Sequence, residues 1–200
     1  METLKPRKYI NVYTEANPNP SSLKFVVNYM LTPEGASYDF PDLQTAQQSP
    51  LAINLFETFD SIERVFVMNN FITITKKEGF AWEDIDRDIK LHIQNYLEQE
   101  KPIFSKELLQ NDSHLTISEN DSETVKKIKS VLEEYIRPAV ESDGGAINFH
   151  SFDENSGKVM VTLQGSCSGC PSSTITLKAG IENLLKRMIP EVKEVVAEGI

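Results

Sequence analysis

The chain carries two cysteines, both in the segment Gly165-Ser166-Cys167-Ser168-Gly169-Cys170-Pro171. C-x-x-C spacing puts two soft, nucleophilic thiols on one loop. A tetrahedral thiolate site or a four-cysteine iron–sulfur cluster wants twice that number of ligands, so the chain supplies half of one. Either a second copy brings the other half, or the pair does thiol–disulfide chemistry.

The flanking residues favour ligation. Pro171 in a first helical turn places Cys170 at or beside the N-cap, where unpaired N–H groups and the positive end of the helix dipole favour a thiolate. Gly165 and Gly169 allow close backbone approach, and Ser172 and Ser173 add hydroxyl donors. No acid or base of catalytic type is near in sequence, and no catalytic residue is assigned. In a thioredoxin-like pair the first cysteine caps the helix and the second lies inside it, whereas proline directly after Cys170 pushes both thiols ahead of the helix. A dithiol–disulfide oxidoreductase is therefore the alternative reading, and a structural zinc-bridged dimer a third. The segment also mimics a nucleophile elbow, but His92, His114 and His150 all precede Cys167 and the domain is too short for that fold. Incidental buried cysteines are disfavoured, because the serines and glycines make the loop polar and open.

Other candidates read as structural. His150 follows Ile147 and Phe149 on a strand and should face solvent. Asp84, Asp86 and Asp88 echo the start of a calcium loop, but Ile89 and Asn95 occupy the positions that need glycine and glutamate. They form a solvated helix face. Gly180, inside a helix, should mark close packing.

The elements that must hold the loop follow from pattern. Asp121-Ser122 starts a helix with Val125, Ile128, Leu132, Tyr135, Ile136 and Ala139 on one face, which Pro138 should kink or end. Asp143-Gly144-Gly145 is a turn. Ala146 to Ser151 and Lys158 to Gln164 pair as a hairpin, with Val159, Val161 and Leu163 on the core face. A helix from Pro171 buries Leu177, Ile181, Leu184, Leu185 and Met188, Pro190 stops it, and a strand covers Val192 to Ala197. Upstream, Asn17-Pro18-Asn19-Pro20 is turn-rich and leads into a strand over Leu23 to Tyr29. Ser49-Pro50 caps a helix burying Ala52, Leu55, Phe56 and Phe59. Val65–Met68 and Phe71–Thr75 form a hairpin across Asn69-Asn70, and Trp82, Ile85, Ile89, Ile93, Tyr96 and Leu97 mark a further helix. The expected fold class is α+β: two small α/β domains, residues 1–98 and 121–200, joined by a polar linker over 99–120. Ile103-Phe104 and Leu108-Leu109 are the points at which that linker could dock locally. The C-terminal domain runs α-β-β-α-β, with C-x-x-C between strand and helix.

The 200 residues have ordinary hydrophobic (40%) and charged (25%) content for a globular protein, and a net charge of −10 without a basic face for nucleic acid. No apolar run approaches the roughly 18 residues of a membrane span. Met1 to Lys8 has neither a secretory core nor a transit-peptide composition. Two cysteines make no disulfide framework, so the expected location is cytoplasmic.

Residues from about Val125 to Val196 resemble the NifU C-terminal domain of Nfu-type iron–sulfur scaffold and carrier proteins. The matching strings are Ile136-Arg137-Pro138, Asp143-Gly144-Gly145, Leu163 to Ser173, Thr176 to Glu182 and Pro190-Glu191-Val192. Tyr13 to Leu97 is similar to the Nfu N-terminal domain through Asn17-Pro18-Asn19-Pro20, Leu23-Lys24-Phe25, Ser49 to Ala52, Leu55-Phe56, Val65-Phe66 and Phe71 to Lys76. Ala146 stands where the family usually has an acidic residue, and Phe59-Asp60-Ser61-Ile62 replaces a common glycine-containing turn. The resemblance implies that Cys167 and Cys170 bind a labile 4Fe–4S cluster (2Fe–2S being the smaller option), bridging a homodimer. The cluster would come from upstream assembly proteins and pass by ligand exchange to apo iron–sulfur proteins, with no membrane or nucleic acid involved. The N-terminal domain would help to recognise targets.

Overall fold

The computed structural model describes residues 9–110, 121–168 and 171–199. The N-terminal unit is built on strands β1 Val12–Ala16, β2 Ser22–Val27, β3 Ser37–Phe40, β4 Ile62–Met68 and β5 Phe71–Lys76. They form one antiparallel sheet in the order β1-β2-β5-β4-β3. Helices α1 (Pro50–Thr58) and α2 (Trp82–Glu98) cover one face. Ser49 caps α1 as its type predicts, its hydroxyl accepting from the Ala52 N–H at 3.2 Å. The β4–β5 turn holds Asn69 at φ +48°, a left-handed conformation that asparagine tolerates.

Strand alternation gives this sheet two buried faces. Phe25, Val27, Val65, Val67, Ile72 and Ile74 pack against the helices. Val26, Phe66, Met68 and Phe71 point the other way and still form a buried cluster, closed by Ala146 of the C-terminal unit. The second face also carries Lys24, Asp39, Arg64 and Thr73, by the same alternation of side chains along each strand. The segment after α2 docks onto its own unit: Ser49 donates to the Ile103 carbonyl at 2.8 Å and Phe104 stacks on Tyr38. Helix α3 (Lys106–Gln110) follows. The Leu109 side chain and linker residues 111–120 lie outside the described residues.

The C-terminal unit follows the expected order. Helix α4 (Glu123–Val131) runs through a π-helical turn over Leu132–Ile136 into α5 (Arg137–Ser142). Then come β6 (Gly145–Asp153), β7 (Lys158–Gly165), α6 (Pro171–Met188) and β8 (Glu194–Gly199). The three strands pair in the order β6-β7-β8, the first pair antiparallel and the second parallel, with α6 as the crossover. Val159, Val161 and Leu163 are buried, as the alternation requires.

Three expectations change. Pro138 stands in the first turn of α5, directly after the π-helical turn that interrupts the helix. The wider turn before it takes up the missing N–H and the ring's steric demand, and Arg137 N–H bonds back five residues to Leu132 O. That extra residue shifts the helical face, so Tyr135 (49% exposed) and Ala139 face solvent while Val140 enters the core. Met188 is exposed and Ile189 is buried in its place. A Cβ on Gly180 would meet nothing within 4 Å, so it marks open space and not close packing. Strands β1 and β3, absent from the sequence reading, complete the N-terminal sheet at both edges.

Candidate functional site

Cys167 sits on the loop between β7 and α6. Gly165, at φ +64°, turns the chain out of β7, and Ser168 N–H bonds back to Gly165 O at 3.1 Å. The Asp143-Gly144-Gly145 turn backs the loop. Ser166 N–H donates to Gly144 O at 3.2 Å and the Ser166 hydroxyl to Asp143 O. A Cβ on Gly145 would stand 2.9 Å from Cys167 Sγ and 2.7 Å from Gln164 O. Glycine is therefore needed there for close approach. Cys170, Gly169 and the side chains of Ser172 and Ser173 lie outside the described residues.

The loop is covered. Ser166, Cys167 and Ser168 are 3%, 7% and 5% exposed, which corrects the expectation of an open polar loop. The cover comes from the N-terminal unit. Asn19 Nδ2 donates to Ser166 O at 2.9 Å, and the Gly165 N–H donates to Asp39 Oδ2 at 3.1 Å. The Thr73 hydroxyl donates to Gly144 O at 2.7 Å, and Lys24 Nζ to Ser142 O at 3.2 Å. A Cβ on Gly165 would stand 2.8 Å from the Phe66 ring. Cys167 opens into a cleft of about 480 Å³ between the units, walled by Pro18, Asn19, Ala139, Val140 and Leu177.

Asp39 is the most buried ionisable group at this contact. Burial pushes its carboxyl up from the ordinary value, opposed by Arg64, whose Nη1 bonds Asp39 Oδ2 at 2.9 Å, and by the Gly165 N–H. Its Oδ1 is buried without a hydrogen-bond partner. The histidines stay apart from Cys167. His92 bonds Asn54 Oδ1 at 2.6 Å in the N-terminal unit, His150 is exposed on β6 as expected, and His114 lies outside the described residues. Among the described residues no three of His, Cys, Asp and Glu gather as a metal site, and no helix is long and apolar enough to cross a membrane. The calcium-loop echo is a helix face, with Asp84 and Asp88 exposed.

Sequence reasoning missed Asn19, Asp39 and Thr73 as loop contacts. Asn19 carried a signal in its turn motif, but Asp39 and Thr73 had none beyond their place on strands.

Comparison with known proteins matches residues 128–196 to the NifU-like domain and residues 12–100 to the scaffold protein Nfu/NifU N-terminal family. NifU-like protein 4, mitochondrial, of Arabidopsis thaliana is 41% identical over 96% of this chain and 67% of its own length. The NFU1 iron-sulfur cluster scaffold homolog, mitochondrial, of Drosophila willistoni is 41% identical over 92% of this chain and 62% of its own. NifU-like protein C1709.19c of Schizosaccharomyces pombe is 38% identical over 96% and 74%. The chain thus spans about two thirds of the length of these relatives. The mitochondrial names overturn the cytoplasmic expectation. A low cysteine count argues only against an oxidising compartment and does not separate one reducing compartment from another. The Drosophila relative is named as a scaffold. Matched to both family profiles and aligned with these relatives over nearly all of its own residues, the chain belongs to the Nfu family of NifU-like iron–sulfur cluster scaffold proteins.

Proposed function

We propose that the chain carries a labile 4Fe–4S cluster as cargo, held by Cys167 and Cys170 together with the same pair of a second copy, and gives it to apo iron–sulfur proteins. The supporting observation is the placement of Cys167 within the NifU-like match, on a glycine-flanked loop directly ahead of α6 and facing a cleft. Two thiolates per chain leave a four-iron cluster half-ligated, and a symmetric pair of chains completes it. Thiolates entering from a recipient then displace these ligands in turn. The working division is residues 1–98 for recognition of recipients, 99–120 as linker and 121–200 for cluster binding. Clusters would arrive from upstream assembly proteins.

Anaerobic reconstitution tests the assignment. About two irons per chain are expected, with dimer formation following iron uptake. Cys167→Ala and Cys170→Ala should each abolish stable loading, and a full cluster in either variant would refute the ligand set. Loaded protein should also restore activity to cluster-free acceptor enzymes. Reduction of a protein disulfide by the iron-free chain, dependent on both cysteines, would instead support the oxidoreductase reading.

A further inference from the structure

We infer that the outer face of the five-stranded sheet is an intramolecular docking surface for the chain's own cysteine loop, closed in the cluster-free chain and released when a second chain's cysteines share a cluster. Release rests on the cluster assignment above. Docking stands on geometry alone.

The sheet face has the anatomy of an interface. Val26, Phe66, Met68 and Phe71 form its buried apolar centre, with Lys24, Asp39 and Thr73 as polar contacts. The polar groups do not contact the C-terminal unit at random. They bond main-chain groups of the two segments that build the site: Ser142 and Gly144 on the backing turn, Gly165 at the start of the loop. Asn19 adds a bond to Ser166 O, directly before Cys167. Each of these bonds fixes backbone within three residues of Gly145 or Cys167.

At the apolar centre the counterface is made of small residues, and at its edges Gln164 and Glu141 accept from the side chains of Ser37 and Asn69. Ala146 is its one contribution to the apolar cluster, and Gly165 lets the Phe66 ring lie against the main chain. The C-terminal unit adds only Ala146 to the apolar cluster, so its side of the contact is held largely by hydrogen bonds. It suits a surface that closes and opens.

Opening is required by the position of Cys167. It is 7% exposed, and Pro18 and Asn19 wall the cleft it faces. A second loop would have to reach its sulfur through this cleft, which these two residues wall on the N-terminal side. Undocking of the sheet face removes that wall and clears the approach for a second chain's loop. Asn19, Asp39 and Thr73 are positioning residues, acting on the cysteine through the loop backbone.

The test uses the full, reduced, cluster-free chain in a Cys170→Ser background, so that Cys167 is the single thiol. Asn19→Asp keeps the side-chain oxygen that accepts from Ser21 N–H and turns the donor facing Ser166 O into a repelling oxygen. Thr73→Val keeps shape and removes the hydroxyl. The pair should speed alkylation of Cys167 by iodoacetamide at least about tenfold, the shift expected from two lost buried hydrogen bonds. The radius of gyration should rise in solution scattering while the circular dichroism spectrum stays folded. Ala146→Glu, from the opposite side of the contact, should act in the same direction. Unchanged alkylation and radius in folded forms of both variants would overturn the docking surface. In the two-cysteine chain, the docking variants should take up iron faster than wild type and reach the same content. Slower uptake would overturn the release step. Wild-type protein that takes no iron would overturn the cluster assignment while leaving the alkylation result to be read by itself.

Discussion

Gly145→Ala should destabilise the protein although its backbone conformation is one alanine can adopt. No left-handed φ is found at Gly145, so alanine gains about 0.4–1 kcal/mol from the reduced freedom of the unfolded chain. The new methyl, however, would lie 2.7 Å from Gln164 O and 2.9 Å from Cys167 Sγ. The carbonyl belongs to β7, paired with β6 through Ala146 and Gln164, and cannot retreat without breaking the ladder. Overpacking of this kind costs about 1–3 kcal/mol, and the rigid carbonyl puts Gly145 toward the upper part of that range, for a net loss of up to about 2.6 kcal/mol. Urea unfolding of the full chain, followed by circular dichroism, measures it, with Gly180→Ala as the contrast. There a Cβ meets open space, and the helix should gain about 1 kcal/mol. The two substitutions are chemically the same and should shift the midpoint in opposite directions. A Gly145→Ala midpoint at or above wild type would refute the close approach of the backing turn to Cys167.

Two further outcomes follow from buried charge. Asp39→Ala removes the partner of Arg64 and the acceptor of the Gly165 N–H, and should cost about 3 kcal/mol in thermal or urea unfolding. A cost under about 1 kcal/mol would mean that the carboxylate does not join the units. His92 is held below its ordinary pKa by burial first and Lys101 second. Its neutral form is favoured in the folded state, so its contribution is fully present above about pH 6.5 and is lost as pH falls through the lowered folded value. His92→Gln should flatten the stability profile in that window, and a proton NMR titration of His92 with a midpoint at or above about 6.5 would contradict it.

The elements written in local signals were legible from sequence. Ser49-Pro50 states a helix start by itself, Asn69-Asn70 states a tight turn, and the stripe from Trp82 to Leu97 states a helix. The cysteine loop was located by the strand that ends before it and the proline that follows. Its burial was not legible, because the covering residues come from the other unit and no local pattern encodes that contact. One trace of it was present. Val65-Phe66-Val67-Met68 is apolar at every position, as a strand buried on both faces requires, whereas a one-sided strand alternates. The face shift of the α4–α5 helix was hidden for a different reason. A single π-helical turn changes which residues point inward without changing any residue's own preference for helix.

The contact between the units also has consequences for how the chain is made. Asn19 reaches its partner 147 residues later, Lys24 118 residues later and Thr73 71 residues later. During synthesis the first unit emerges whole and can fold while residues 142–166 are still unmade, since domains form in order from the N-terminus. Through that interval Val26, Phe66, Met68 and Phe71 lie bare on a completed sheet. The nascent chain thus shows a sticky surface that the finished protein hides, and conditions that slow translation of the second half should raise its demand for chaperones.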